Sequence, residues 1–509
     1  MPHPEWALKY KTKGTELRNI KGRFYLYRVS SKWNKEKKVT QKITHEMIGR
    51  ITEQDGLIPR GTKKNIATKS EANHKTSSTP VSVKEFGAST YLREISCDIT
   101  NALARHFPQT YREIIVLAIG RLLHQSPLKN MAFLYESSML STHYPDLDLS
   151  KNRLTAFMRE LGSDRPTMVA FMKEFIHGLE NIVFDTTHSV SQSDKMHLNQ
   201  VGYNSKGSYD PQVNLFYMFA TDHQMPAYYR IFPGNIQGMK ALRLTIKESG
   251  IKDACMVGDK GFSSDANMKM FDDAGIQYIL PLKRNSRYIN YDRLKARGHD
   301  EAFDGFFLYH NRPIFYYRYI FSDKENGKVK QRNIIVFYDP KLRNEEEASY
   351  LRRVASKTSK YTIDGFKEKQ FMFGTMAMVH TLKNDNKNGE ENDIKLEVSA
   401  NTVYEKYKSR MEVETVFDTY KNLLQADRSY MQSDEAFETW VFINHLATMM
   451  YYKIFNVIKS KDKLGTISPK DLLMRLARIS KVNIGNEWIN TEIPLSSIKI
   501  FKDLEITVT

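Results

Sequence analysis

Residues 254–285, ACMVGDKGFSSDANMKMFDDAGIQYILPLKRN, hold a short apolar run, a Gly-Asp-Lys-Gly turn, a segment of helical spacing and a second apolar run. Strand, helix, strand is the order of a domain in which helices cover a sheet. The pattern extends upstream. NIVFDTTHS (181–189), PQVNLFYMFAT (211–221) and AYYRIFPGN (227–235) read as three strands, and MKALRLTIKESG (239–250) reads as a helix ending at Gly250. Downstream the alternation stops: DGFFLYH, RPIFYYRYIF and RNIIVFYD are aromatic and strand-like, and helical signals return only near residue 401. The economical reading is an α/β core over 179–284 and 401–460, interrupted by a β-rich insertion over 285–400.

The 509 residues exceed what one core accommodates, at about 150 residues per domain. Residues 1–60 alternate aromatic and polar positions around a Lys-rich turn, which predicts a small β module. GTKKNIATKSEANHKTSSTPVSVK, within 61–87, has no hydrophobic period and reads as a linker. YLREISCDITNALARHF, YREIIVLAIGRLLHQ and LTAFMREL predict a helical domain over 88–178, with helix starts at Ser126-Pro127 and Asp164-Arg165-Pro166. Residues 461–509 form a C-terminal region suited to dimerisation. The expected fold class is therefore multidomain α+β.

Charge and cysteine content narrow the function. The formal charge is +17, and residues 1–90 hold 19 Lys and Arg against 8 Asp and Glu, a net +11. Such an excess favours a polyanionic partner. Cys97 and Cys255 lie too far apart in sequence to suggest a disulfide framework or a cysteine zinc site, and a cytoplasmic, non-secreted protein is expected. Nucleotide-binding motifs of the Gly-rich type are missing from the sequence.

Asp185 and Asp259 each follow an apolar strand. In open α/β sheets the ligand crevice lies outside the carboxyl ends of the strands, so the two could share a site; each could equally be a turn former or a cap. A third carboxylate comes from YEKYKSRMEVETVFDTYKNLLQADRSY (404–430). On a helix, Tyr407, Arg410, Glu414 and Lys421 fall within a sector about 60° wide, apart from the apolar face of Val413, Val416, Phe417, Tyr420 and Leu424. An Arg410–Glu414 surface ion pair explains two of the four. Three carboxylates suit a pair of Mg²⁺ ions, hard cations that take oxygen ligands and phosphate oxygens.

Tyr407-x2-Arg410-x3-Glu414-x6-Lys421 resembles the YREK signature of DDE transposases of bacterial insertion sequences, the large cut-and-paste group. VFDTT and GDKGF resemble its first two acidic motifs, 74 positions apart, and AFETWVFINHLATMMYYKIF its closing helix. The resemblance implies a ribonuclease-H-like catalytic core with a β-rich insertion between Asp259 and Glu414. It implies that Asp185, Asp259 and Glu414 hold two Mg²⁺ ions, for which Mn²⁺ substitutes, and that Tyr407, Arg410 and Lys421 grip DNA phosphates. Asp418 borders the stripe as a reserve third carboxylate. Lys260, Lys283 and Arg284 are candidates for the DNA backbone, and His188 for a ligand or proton carrier or a plain turn histidine. Some members stack a flipped base on a Trp in the insertion; this chain has none there, leaving Tyr309, Phe315, Tyr316 and Tyr317 as alternatives or as core.

The function so implied is a transposase acting on double-stranded DNA, both terminal inverted repeats and target, as a homodimer without nucleotide cofactor or membrane. The alternatives are a transposase-derived DNA-binding protein that has lost catalysis, and a ribonuclease-H-like nuclease.

Overall fold

The computed structural model describes residues 3–20, 22–34, 39–59, 81–203, 207–236, 239–295, 302–325, 328–356, 360–382, 398–485 and 487–507. They separate into two units, Met1–Thr79 and Pro80–Thr509. In the first, the aromatic alternation forms β1 (Thr15–Ile20), β2 (Arg23–Asn34), β3 (Val39–Thr52) and β4 (Gly56–Pro59), an antiparallel sheet in that order. Leu17, Leu26 and Ile51 meet Ala7 in a small core that Trp6, Phe24 and Leu57 close. The Lys-rich turn at 35–38 and residues 61–80 of the expected linker lie outside the described residues.

The linker assignment fails over its last residues, because Val81–Glu85 is a strand, β5, and Gly87 opens a helix. The helices Gly87–Ile95, Cys97–His106, Tyr111–His124, Lys151–Gly162 and Arg165–Glu174 follow. YLREISCDITNALARHF splits at Ser96, whose hydroxyl donates back to the Leu92 carbonyl. Asp164 caps the last helix by accepting from Thr167 N–H, with Pro166 in the first turn, as the sequence predicts. Ser126-Pro127 begins only a 3₁₀ turn, Leu128–Asn130.

The main sheet contains β6 (Asn181–Ser191), β7 (Gln200–Tyr203), β8 (Tyr209–Ala220), β9 (Met225–Pro233), β10 (Cys255–Val257), β11 (Tyr278–Pro281), β12 (Gly305–Tyr309), β13 (Arg312–Glu325), β14 (Lys328–Tyr338), β15 (Thr375–His380) and β16 (Arg428–Ser429). Its order is β12-β13-β14-β15-β11-β10-β6-β8-β7, with β9 beside β8 and β16 beside β6. β6, β10 and β11 run parallel, and β8 and β9 are antiparallel additions. The helices Met239–Ser249 and Asp265–Asp273 connect β9 to β10 and β10 to β11.

The segment 285–400, expected to be a β-rich insertion, supplies the strands β12, β13, β14 and β15, which join the main sheet. Leu280 pairs with Val379 and Ile334 with the same Val379, so β12–β15 prolong the main sheet. The segment also contains a helix, Pro340–Ala355, which Asp339 caps by accepting from Lys341 and Leu342 N–H.

The helical region is likewise no separate domain. The helix Asp434–Ser460, capped by Ser433, is buried on nearly all sides of its first four turns. A helix buried all round needs neighbours all round; it packs on β9 and on the helices Tyr111–His124 and Lys151–Gly162. Gly162 permits the approach, since a Cβ there would lie 1.7 Å from the Glu435 carbonyl oxygen. The C-terminal region supplies β17 (Ser480–Ile484) and β18 (Glu487–Asn490), which join β5 in the order β18-β17-β5. No helix among the described residues is long and apolar enough to cross a membrane.

Candidate active site

Ile182, Val183 and Phe184 are fully buried, and β10 pairs with β6 only as far as Val183. Asp185 therefore stands just beyond the end of β10, where the sheet opens. It does not end its own strand, contrary to the sequence reading: β6 runs on to Ser191, in register with β8 from Ile182↔Ala220 to Val190↔Gln212. Thr187, Ser189 and Ser191 make this continuation possible because they are small, buried polar residues, and Ser189 Oγ donates to the Ala426 carbonyl at 3.2 Å.

Asp259 follows β10 by two residues. Gly258, between them, must be glycine, since a Cβ would meet Phe184 Cζ at 2.6 Å. Phe262 then packs edge-on to Phe184 at 4.9 Å, which fixes the turn against β6. Asp185 and Asp259 line one cavity.

Glu414 arrives on a broken helix rather than the single helix predicted over 404–430. The pieces are Ala400–Lys408, a turn at Ser409-Arg410, Met411–Asp418 and a π turn, Thr419–Leu423. Ser409 Oγ donates to the Lys406 carbonyl at 2.6 Å, closing the first piece. The expected apolar face survives, with Val413, Val416, Tyr420 and Leu424 buried and Phe417 partly so. Beyond it β16 pairs with β6 through Arg428↔Val190, so the strand that carries Asp185 also anchors the segment that carries Glu414. A second anchor is one that the sequence reading missed. Arg121, 2% exposed, donates to the Leu424 carbonyl, to the Ser126 carbonyl at 2.8 Å and to Asn444 Oδ1 at 3.2 Å, with the Trp440 ring 4.4 Å away. A buried arginine far along the chain from its partners leaves no periodic signal.

The three carboxylates act on one another electrically. Burial pushes the Asp185 carboxyl up to about 6, and the charges of Asp259 and Glu414 add to the rise. The Thr186 N–H, 2.7 Å from Asp185 Oδ1, and Arg410 oppose it. Arg410 bridges the group: Nη1 lies 3.4 Å from Asp185 Oδ2, and Nη2 donates to Glu414 Oε1 at 2.7 Å. The surrounding Asp259, Tyr407, Asp185 and Glu414 raise the guanidinium's affinity for its proton against the effect of burial. Tyr407 lies against Arg410, and burial pushes its phenol up.

The donor chemistry, three carboxylates at a sheet opening, fits hard divalent cations. Among the described residues, however, no three His, Cys, Asp or Glu side chains are gathered as a ready-made metal cluster. The cation between Asp185 and Glu414 is the guanidinium of Arg410.

The remaining candidates divide. Lys421 lies half-buried in the π turn, where the longer period takes it off the wheel on which the stripe was drawn. Asp418 turns to Asn422, whose Nδ2 donates to it at 2.5 Å, and its charge is felt by Tyr451 and Tyr452. Lys260 and Lys283 are exposed and line one small cleft with Gly261 and Asn285. Arg284 is held by the protein: Nη2 donates to both Glu346 oxygens at 2.8 and 2.9 Å and to the Thr375 carbonyl at 3.0 Å. His188 pairs in register with Asn214 and lines the cavity beside Asp185. Tyr317 is core, its hydroxyl donating to the Asn290 carbonyl at 2.6 Å, and Tyr309 packs on Tyr404. Phe315 and Tyr316 are half-buried against Phe303 and Phe307. The outward aromatic of this sheet edge is Phe306, 63% exposed, which the sequence reading did not single out.

Residues 179–450, just over half of the chain, match the family model described as a transposase DDE domain. The chain belongs to that family. The match spans Asp185, Asp259 and Glu414 and ends within the long helix Asp434–Ser460. No curated protein is similar enough to the chain to count as a relative. Among solved structures, the piggyBac transposase synaptic complex with hairpin DNA is similar at 11% identity, covering 72% of this chain and 69% of that one, with a TM-score of 0.36. A likeness at that level carries no argument about this DDE domain.

Proposed function

We propose that the chain is the DNA transposase of an insertion sequence, cutting at terminal inverted repeats and joining the freed ends to target DNA. The observation that carries this reading is that Arg410 joins Asp185, on β6 beside the end of β10, to Glu414 on its helix, while Asp259, just past β10, lines one cavity with Asp185 and its charge acts on it. The strand order β9-β8-β6-β10-β11, three antiparallel strands followed by two parallel ones, supports a ribonuclease-H-like core.

In this reading Asp185, Asp259 and Glu414 hold the two Mg²⁺ ions, and Mn²⁺ substitutes. The ions supply activation of the attacking oxygen and stabilisation of the leaving one. Tyr407, Arg410 and Lys421 engage the phosphates next to the cut, where a guanidinium forms bidentate bonds to phosphate oxygens. Arg410 thereby exchanges its carboxylate partners for a phosphate. Lys260 and Lys283 contact the DNA backbone further out. The basic first unit and the helical region over 88–178 recognise the repeat, and two copies pair the two ends.

The test is cleavage of a labelled duplex carrying the element's terminal repeat, with Mg²⁺ and with Mn²⁺. Wild type is expected to cut at the repeat boundary, while Asp185→Ala, Asp259→Ala and Glu414→Ala bind without cutting. Binding by wild type without cutting in either metal would reject the catalytic reading.

A further inference from the structure

The helix Lys151–Gly162 and the residues that follow β16, from Tyr430 to Ala436, wall another cavity, of about 380 Å³. Pockets that take organic ligands have volumes on the order of 300–1,000 Å³. Leu154, Met158 and Ala436, all buried, form its floor together with the half-buried Leu128 and Met431. Apolar surface that is concave and open to water marks a place of contact.

The polar side chains of the wall are already engaged within the protein. Thr155 Oγ1 donates to the Lys151 carbonyl at 2.8 Å, Ser433 Oγ accepts from the Ala436 N–H at 3.2 Å, and Gln432 Oε1 accepts from Ser193 Oγ at 3.4 Å. The interior therefore offers hydrocarbon contact, and the polar edge of a nucleobase placed there would lose its partners in water. The rim is of another kind. Lys129, Lys151 and Arg159 stand exposed around it with Tyr430, 83% exposed, and no Asp or Glu lines the cavity. Among the described residues none of these three cations is in an ion pair. Like charges gathered around an apolar floor repel one another, and an anion placed between them relieves the repulsion.

We propose that this cavity docks a peptide segment of another protein, in which adjacent apolar side chains fill the floor and flanking Asp or Glu residues meet the three cations. Arg159 suits a carboxylate because its planar fork supplies two parallel N–H donors. The Tyr430 ring gives the peptide an apolar cover with a polar tip. The inference does not depend on the reading of Asp185, Asp259 and Glu414 as catalytic.

The experiment uses full-length protein and short fluorescein-labelled peptides: Asp and Glu around a central Leu-Phe pair, the same acidic flanks around Ala-Ala, and Lys flanks around Leu-Phe. Fluorescence anisotropy is expected to show the first binding about tenfold tighter than the other two. Lys151→Glu combined with Arg159→Glu is expected to weaken that binding about tenfold. Thr155→Trp, which closes the mouth from the exposed side of the helix, is expected to abolish it. Should that variant fail to fold, Tyr430→Ala, at an exposed ring, is expected to weaken the same peptide several-fold. Equal binding of the three peptides, no binding of the first, or a folded Thr155→Trp variant that binds as wild type does overturns the inference. A terminal-repeat duplex that displaces the peptide from wild type, and that Thr155→Trp no longer binds, assigns the cavity to DNA and overturns it likewise.

Discussion

Removing Arg410 would leave Asp185, Asp259 and Glu414 facing one another with no cation between them. Losing one partner of a partly buried charge cluster costs about 1–3 kcal/mol. Arg410→Ala is therefore expected to lower the melting temperature at pH 8, and excess Mg²⁺ is expected to restore it by more than it stabilises wild type. Equal Mg²⁺ effects on the two proteins would show that the guanidinium does not occupy the cation's place. Asp185 gives a pH signature of its own. Its carboxyl sits at about 6 in the fold against an ordinary 3.8, so the neutral form is the stabilising one. That contribution is fully present below about pH 3.8, fades up to about 6 and is gone above it. Asp185→Asn, which keeps the neutral shape, is expected to gain on the order of 2 kcal/mol over wild type at pH 8 and almost nothing at pH 3.5. Urea unfolding at the two pH values measures the difference; a gain independent of pH would reject the assignment.

At the scale of elements, the segment that bears Glu414 is held from behind. Arg121 satisfies the Leu424 carbonyl at the end of the π turn and reaches Asn444 on the long helix. Arg121→Ala removes a buried charge's packing and leaves that carbonyl without its donor, a loss of roughly 3 kcal/mol by urea unfolding. Gly258→Ala is expected to abolish cleavage while the sheet persists by circular dichroism, because the added Cβ forces Asp259 away from Phe184. Wild-type cleavage by this variant would mean that the turn yields without moving the carboxylate.

The elements also show what the sequence made legible. VFDTT and GDKGF could be found because a charged residue after an apolar run stands out, Glu414 because it shares a helical stripe with Tyr407, Arg410 and Lys421, and the apolar face of 404–430 predicted the burial of Val413 and Val416. The true length of β6 was hidden, because hydropathy falls at Asp185 although Thr187, Ser189 and Ser191 are buried. The break at Ser409-Arg410 was hidden too, since it involves neither glycine nor proline. Lys421 shows the limit of the helical wheel: a π turn shifts the period without changing composition. The pairing of Arg284 with Glu346 was hidden as well, because the partner lies in another element and pairing across long separations has no local mark.

For the whole molecule, charge and connectivity are unevenly distributed. The first unit has its own sheet and core, and residues 1–90 carry a net charge of +11. Each phosphate contact steepens the dependence of binding on salt. A chain starting at residue 80 is expected to keep its fold, shown by an unchanged unfolding transition for the larger unit, and to bind repeat DNA with a shallower salt slope. An unchanged slope would assign the phosphate contacts to the second unit. The strands of 285–400 were legible, but not that they extend the main sheet: Leu280 and Val379 are neighbours only in three dimensions.

The pairing of β5 with β17 also sets a clock on synthesis. The strand Val81–Glu85 meets its partner, Ser480–Ile484, only after some 400 further residues have been made. At about 5–20 residues per second that is a wait of roughly 20 to 80 s, during which β5 is an open edge with Val81 and Val83 outward. Asp185, Asp259 and Glu414 are all in the chain before the partner strand is translated. A message cut short between the codons for 415 and 480 thus yields a polypeptide with every acidic residue and an unpaired edge. Its expected fate is aggregation, checked by whether such a fragment pellets while the full chain stays in solution.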